Sequence, residues 1–278
     1  MLTSLLLAFR EAVEAFLVVG IVLGFLRRTG QTRFNRSVYA AIFFGVAGSV
    51  AGAWLFVRLT GGFDGRAEQI FEGTVMLIGA VMITTMILWV LRHEKNTAGW
   101  ENQVAGHVQK ASATGIFVLV ASAILREGIE LVLFVGSANL VSKDNNLIGV
   151  FAGMLLAGAF SLALFRGLVH ISLRKFFVVT NLLLLIFAAG LVEHSVHEYQ
   201  EAAVLPRSNY HVWNINPPLN ADGSFPPLHD QGTVGSILSS LFGYSGNPSV
   251  LEVVGYVGYV VVIGGLWFGL RTRRPSAA

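Results

Sequence analysis

Apolar residues form seven long runs along the chain, and polar and charged residues collect between these runs. The runs cover residues 2–26, 37–59, 69–91, 114–138, 147–169, 176–197 and 250–270. About 20 apolar residues are enough for a helix to cross the hydrocarbon core of a bilayer. The pattern therefore predicts an all-α integral membrane protein with seven transmembrane helices in a single membrane domain, residues 1–275.

The composition narrows the functional classes. Of 278 residues, 54% are hydrophobic and 13% are charged, whereas about a quarter of the residues in soluble domains are charged. The chain has no Cys, which excludes disulfides, Fe–S clusters and cysteine nucleophiles. A bound metal would use oxygen or imidazole ligands, which favours hard cations. The net charge of +3 does not indicate a nucleic-acid partner.

Lysine and arginine are concentrated in alternate connections between the runs. Thirteen lie in one set: Arg27, Arg28, Arg33, Arg36, Arg92, Lys95, Lys110, Arg166, Arg174, Lys175, Arg271, Arg273 and Arg274. The other set holds four, Arg58, Arg66, Lys143 and Arg207. Since cytoplasmic loops carry the excess of basic residues, we expect an external N-terminus and a cytoplasmic C-terminus. The predicted location is a bacterial inner membrane or a plasma membrane.

The connection over about 198–249 is the one long connection between runs, and it is predicted to lie outside. Five of the seven prolines lie in it between residues 206 and 227. Apolar residues recur at helical spacing within it, at Val234, Ile237, Leu238, Leu241 and Phe242. This spacing indicates either a short amphipathic helix at the membrane interface or a loop packed on the bundle.

The charged pattern R-E-x-x-E stands inside the first run and again inside the fourth. The copies are Arg10-Glu11-Ala12-Val13-Glu14 and Arg126-Glu127-Gly128-Ile129-Glu130, 116 residues apart. Three spans separate the copies, and an odd number of spans per unit makes repeats inverted. We predict repeat one over about 1–95, repeat two over about 110–198, and an extra seventh helix over about 250–270.

Within each copy, the arginine and both glutamates fall on one side of a helix, with the carboxylates about 4.5 Å apart along the axis. Six unpaired charges at mid-bilayer would cost on the order of 15 to 20 kcal/mol, so they must face each other or water. The charge-balancing residues Arg10 and Arg126 leave an excess of carboxylate suited to a hard cation. A purely structural ion-pair network is the alternative.

On these motifs the sequence resembles the oxidase-dependent iron transporter family, the high-affinity iron permeases of fungi and their bacterial relatives. The family signature is R-E-G-L-E, given twice. The second copy here differs only at Ile129, whereas the first has Ala12 and Val13 in the middle. The likeness extends over the chain through Phe71-Glu72-Gly73 and the segment from Phe242 to Pro248.

The resemblance implies a permease, and not an enzyme, that imports ferric or ferrous iron into the cytoplasm. Iron would be the transported substrate, and no resident cofactor is expected. The implied iron ligands are Glu11, Glu14, Glu127 and Glu130. A separate oxidase or periplasmic protein that prepares or delivers the metal is a further implied partner, and assembly as a homo-oligomer is left open.

Further acids and histidines lie at the outer ends of two predicted spans. They are Asp64, Glu68 and Glu72 at the start of span three, and Glu193, His194, His197, Glu198 and Glu201 at the end of span six. From these we predict a cation-collecting outer vestibule formed by Glu68, Glu72, Glu193, His197 and Glu198. Ordinary solvated polarity at the headgroup level is the alternative.

Two other functions stay open on the residues alone. Carboxylate ligands discriminate poorly among divalent metals, so the transported ion could be manganese, zinc or another divalent cation. Four glutamates in a helix bundle also resemble a membrane-embedded di-iron carboxylate oxidase. The usual Glu-x-x-His motif of such sites is replaced here by Glu-x-x-Glu, which argues against oxygen chemistry.

Overall fold

A computed structural model describes residues 1–93, 112–142, 147–168, 173–207, 210–220 and 222–272. Over these residues the regular structure is helical, apart from one isolated antiparallel bridge between His211 and Ser249. The α-helices are α1 (Leu2–Arg28), α2 (Asn35–Thr60), α3 (Arg66–His93), α4 (Ala113–Ser142), α5 (Leu147–Phe165), α6 (Leu173–Glu201), α7 (Thr233–Phe242) and α8 (Val250–Thr272). The all-α prediction is confirmed.

Five of these helices are long and apolar enough to cross a membrane: α2, α3, α5, α6 and α8. The other two long helices, α1 and α4, have 27 and 30 residues, but each carries three charges in its middle. The protein is therefore a multi-pass membrane protein. Of the basic residues used to predict its orientation, Lys95, Lys110, Lys143, Arg273 and Arg274 lie outside the described residues.

The long helices pack in pairs around a central contact between α1 and α4. Helix α1 lies along α5, α2 along α4, and α3 along α6, with α8 on the outer side of α6. The largest apolar cluster joins α3, α4 and α6 through side chains such as Ile83, Phe134 and Ala188. Large apolar side chains cover the outward faces of α2, α5 and α8, as expected for surfaces in contact with lipid.

Helix α7 confirms that the spacing of apolar residues in the connection over 198–249 is helical. It does not lie apart from the bundle, because it packs against α6, α4 and α1. The hydroxyls of Thr3 on α1 and Ser240 on α7 are 2.9 Å apart. The helix ends at Gly243, whose φ of +68° favours glycine, and the backbone there touches Gly190 of α6 so closely that a side chain at either position would clash.

Glycine also sets the close approach of α5 to α1. A Cβ at Gly153 would collide with the backbone of Leu5 and Phe9, so only glycine permits this spacing. Helix α8 has the same Gly-x-x-x-Gly spacing at Gly265 and Gly269 that α5 has at Gly149 and Gly153, but Gly265 does not pack in the same way. Nothing from another described element lies within 4 Å of a Cβ built at Gly265.

We expect Gly153→Val to destabilise the bundle, because the new side chain would push α5 away from α1. Overpacking of this kind costs about 1 to 3 kcal/mol. The matched control Gly265→Val places the same side chain in open space and should leave stability nearly unchanged. Thermal unfolding of the two variants in detergent checks this, and equal melting temperatures would contradict the packing described here.

Candidate metal site

Three of the four motif glutamates converge where α1 crosses α4. Glu11, Glu127 and Glu130 each offer a carboxylate oxygen, and these oxygens lie within 4.8 Å of one another. All three residues are buried, at 5% exposure or less. Carboxylate oxygens brought this close repel each other unless a cation or protons lie between them, so the group makes a candidate cation site.

In the first motif, the arginine joins both glutamates. Arg10 is 3% exposed, and its Nη1 donates to both carboxylate oxygens of Glu11 at 2.6 and 2.7 Å. Its Nη2 lies 2.6 Å from Glu14 and donates to the sulfur of Met86 on α3 at 3.0 Å. The pairing places a fixed positive charge against two carboxylates inside the bundle.

The second motif has the same pairing but looser geometry. Arg126 lies 3.0 Å from Glu127 and 3.2 Å from Glu130, and its side chain is 47% exposed. The two arginines therefore differ in burial although their sequence positions match. The weaker pairing leaves the α4 carboxylates less compensated than those of α1.

Two carboxylate oxygens are left over by this pairing. Oε2 of Glu127 and Oε2 of Glu130 are buried and accept no hydrogen bond within the described part of the chain. A buried acceptor without a partner costs free energy, and hard cations such as Mg²⁺ and Ca²⁺ bind through such oxygens. Together with Glu11, these atoms supply an all-oxygen ligand set.

Glu14 stands beside the group of three and is not part of it. Its side chain is 13% exposed and pairs with Arg10. It also repels Glu127 across the space between the helices. Glu14 thus lies within electrostatic reach of the three grouped carboxylates.

The glycine of the second motif allows α2 to approach the site. A Cβ at Gly128 would overlap the side chain of Ser49 on α2. In the first motif Ala12 takes the equivalent place and lies in a separate apolar cluster with Val13 and Ala157. The difference between the two motif sequences therefore follows from the neighbours of each helix.

The predicted vestibule residues are not drawn into one compact group. Glu193 is buried on α6 beside His194, while His197 is half exposed and turns toward the start of α8. Glu68, Glu72 and Glu198 are partly buried. Over the described residues, the motif group is the one set of three or more such side chains whose donor atoms lie within 4.8 Å of one another.

Sequence reasoning missed Glu252. This residue is 4% exposed, and its Oε1 accepts a hydrogen bond from Nδ1 of His197 at 3.0 Å. Its Oε2 accepts from the backbone N–H of Ser249 at 2.9 Å, while Ser249 Oγ accepts from the N–H of Glu252. The signal was available, because S-x-x-E before an apolar run is a helix-capping box.

We expect the two motif arginines to differ in their effect on stability. Arg10→Gln would leave buried carboxylates without their cation and should cost about 3 to 5 kcal/mol. Arg126→Gln should cost clearly less because that guanidinium is half exposed. Melting temperatures of the detergent-solubilised variants check the order, and a larger loss for Arg126→Gln would show that the difference in burial is unimportant.

The chain is similar over most of its length to several known proteins. A relative from Archaeoglobus fulgidus, described as an uncharacterized protein, is 30% identical over 99% of both chains. Proteins named ferrous iron permease EfeU are 27% identical in Yersinia pestis and 28% in Escherichia coli O6:K15:H31. The Yersinia match covers 94% of this chain and 91% of the relative, and the Escherichia match covers 94% and 93%. No solved structure matches the chain. The iron permease FTR1 family model matches residues 1–275, and the chain therefore belongs to the iron permease FTR1 family.

Proposed function

We propose that this protein imports ferrous iron across the cell membrane through the carboxylates at the crossing of α1 and α4. The observation that carries the proposal is the convergence of Glu11, Glu127 and Glu130, with two buried oxygens left without hydrogen bonds. In a purely structural ion-pair network, the carboxylate oxygens would accept hydrogen bonds from donors of the protein itself. Relatives named ferrous iron permease support iron as the cargo.

The charge of the site favours a divalent ion. The four motif glutamates and two arginines leave two negative charges, which Fe²⁺ would neutralise. Fe³⁺ would leave a net positive charge in a medium of low dielectric constant, where uncompensated charge is expensive. Ferrous iron is therefore the form that we assign to the buried site.

The membrane potential can drive the ion inward. A potential of 100 mV contributes about 2.3 kcal/mol per elementary charge, thus roughly 5 kcal/mol for a divalent ion. The sequence contains no G-x-x-x-x-G-K-[ST] phosphate loop, so we assign no nucleotide-driven step to this chain. The glutamates replace water around the ion, and no resident cofactor takes part.

The pattern of helix contacts supports two inverted repeats. If α1, α2 and α3 are exchanged with α4, α5 and α6, the pair α1–α5 becomes α4–α2, while α1–α4 and α3–α6 map onto themselves. All of these pairs are in contact. A two-fold axis through the crossing of α1 and α4 accounts for this pattern, and substrate sites in inverted-repeat transporters lie at such axes.

A second correspondence supports the same repeats at the level of side chains. Gly20 of α1 faces the ring of Phe165 on α5, and Gly136 of α4 faces the ring of Phe56 on α2. The two glycines are 116 residues apart, which is the spacing of the charged motifs. The same contact thus recurs in both predicted units.

We further propose that all seven long helices span the membrane, with the N-terminus outside. Charges on α1 and α4 are compatible with spanning because they pair at the α1–α4 crossing. Glu68, Glu72, Glu193, His197 and Glu198 then open on the outer side and attract cations. A separate oxidase or periplasmic protein would deliver iron to this side.

We expect Glu130→Gln to reduce iron uptake about tenfold or more, because a ligand is replaced by a neutral amide. Uptake of radioactive iron into cells or vesicles measures the effect, with the ion kept ferrous by a reductant. Asp222→Asn is the matched control, since Asp222 is exposed in the external connection and accepts hydrogen bonds from Ser224. Normal transport by well-folded Glu130→Gln protein would refute the ligand assignment.

Competition by other metals belongs to the same assay. Excess Mn²⁺ or Zn²⁺ should reduce iron uptake less than excess unlabelled Fe²⁺ does. If either metal is taken up as fast as iron, the protein is a general divalent-metal transporter.

The proposed orientation predicts the accessibility of single cysteines. The natural chain has no Cys, so each introduced residue is the one thiol. Gln231→Cys should react with an impermeant maleimide in intact spheroplasts, whereas Thr29→Cys should react only after permeabilisation. Labelling of both variants in detergent is the control, and the reverse pattern would invert the topology.

A further inference from the structure

A pocket of about 420 Å³ opens near the junction of α6, α8 and the connection that precedes α7. Its lining residues are His197, Gln200, Glu201, Arg207, His211, Ser249 and Glu252. The pocket is distinct from the motif site, because none of the four motif glutamates is among its lining residues. Two imidazoles and two carboxylates in one pocket are a donor set that transition metals favour.

Both histidines use Nδ1 for a hydrogen bond to the protein, so Nε2 is the ring nitrogen that each can turn toward a ligand. Nδ1 of His211 lies 3.0 Å from the carbonyl oxygen of Asn247, and a carbonyl can only accept, so Nδ1 carries the proton. Nδ1 of His197 lies 3.0 Å from the carboxylate of Glu252 and donates in the same way. In the neutral ring, Nε2 then holds the free lone pair.

Hydrogen bonds to neighbouring groups orient the side chains of His197, His211 and Glu201. A ligating histidine usually donates its other N–H to a carboxylate or a backbone carbonyl, which describes His197 with Glu252 and His211 with Asn247. Nε2 of His197 lies 3.3 Å from Oε1 of Glu201. The other oxygen of Glu201 accepts from Gln69 at 2.9 Å, so the carboxylate is also oriented.

The charge of the pocket is compatible with a cation. Glu201 and Glu252 outnumber Arg207, whose guanidinium is occupied with the backbone carbonyls of Gln200 and Glu201 at 3.1 and 2.6 Å. The segment that carries His211 is tied by its bridge to Ser249, the residue that precedes α8. The third ligand is therefore attached to the same scaffold as the other two.

We propose that this pocket is a binding site for a divalent transition-metal ion, with His197 Nε2, His211 Nε2 and a Glu201 oxygen as ligands. Glu252 and Asn247 act as positioning groups. The three donors do not lie as close together as the motif carboxylates, so His211 moves toward the ion as it binds. Resting on the proposed transport function, the site is the one that ferrous iron meets before the motif glutamates.

Another histidine of the external connection provides a matched control. Nδ1 of His229 accepts a hydrogen bond from the backbone N–H of Gln231 at 3.2 Å, so its proton is on Nε2, opposite to His197 and His211. His229 also does not line the pocket. Its replacement by Gln removes an imidazole from the same connection without touching the proposed ligands.

The test measures Co²⁺ binding to the purified full chain in detergent, by equilibrium dialysis and by the visible absorption of the bound ion. The background carries Glu11→Gln, Glu127→Gln and Glu130→Gln, which removes the motif site. We expect one Co²⁺ per chain, a loss of affinity of about tenfold or more with His211→Gln or His197→Gln, and no change with His229→Gln. Excess Mg²⁺ should not displace the ion, whereas Zn²⁺ should.

The proposal is overturned if the background binds no Co²⁺, if His211→Gln binds as tightly as the background, or if Mg²⁺ competes as well as Zn²⁺. Should the triple variant fail to fold, the same substitutions in the natural chain decide the question. His211→Gln must then lower the number of bound Co²⁺ ions by one. Failure here leaves the motif site untouched, because iron uptake by Glu130→Gln tests that site independently.

Discussion

Ion pairing between motif arginines and glutamates inside the bundle is the constraint on which the rest of the structure depends. Each arginine pairs with the two glutamates of its own motif, and the crossing of α1 and α4 encloses these charges, which would be expensive in contact with lipid. That crossing then requires small residues around it. Gly153 lets α5 approach α1, and Gly128 lets α2 approach α4 beside the motif itself.

The two motifs show how one charged pattern acquires two environments. Arg10 is enclosed and contacts Met86 of α3, whereas Arg126 is half exposed. The difference cannot come from the motifs, which have the same charged residues at the same spacing. It comes from the helices that cover them, and it concentrates the unpaired oxygens on the α4 side of the site.

Much of the helical framework could be predicted from hydrophobic runs, because lipid leaves a spanning chain few alternatives to helix. The motif spacing also predicted that the arginine and both glutamates of each motif share one face of their helix. It could not show that Glu14 lies beside the group, since spacing fixes angles within a helix but not the rotation of one helix against another. That rotation is set by packing contacts such as Gly128 with Ser49.

Long-range contacts explain the remaining differences. Glu252 contacts His197 because the start of α8 meets α6, although 55 residues separate the two in the sequence. The packing of α7 depends on the backbone contact between Gly190 and Gly243, which no local pattern encodes. Gly265 and Gly269 have the same spacing as Gly149 and Gly153, but Gly265 does not make the close contact that Gly153 makes. A glycine pair alone therefore does not specify which helix it faces.

The two proposed sites would divide the task of selecting a metal. The motif site offers only carboxylate oxygens, which bind hard and borderline divalent ions with little discrimination. The pocket lined by His197 and His211 adds two imidazoles, which favour transition metals over Mg²⁺ and Ca²⁺. If the pocket with the imidazoles selects the metal, the buried carboxylates need only bind it weakly. Weak binding allows release, whereas one site that had to select the ion by tight binding would release it too slowly for transport. An outer site of mixed ligands and an inner site of oxygen ligands therefore suit uptake better than two equal sites.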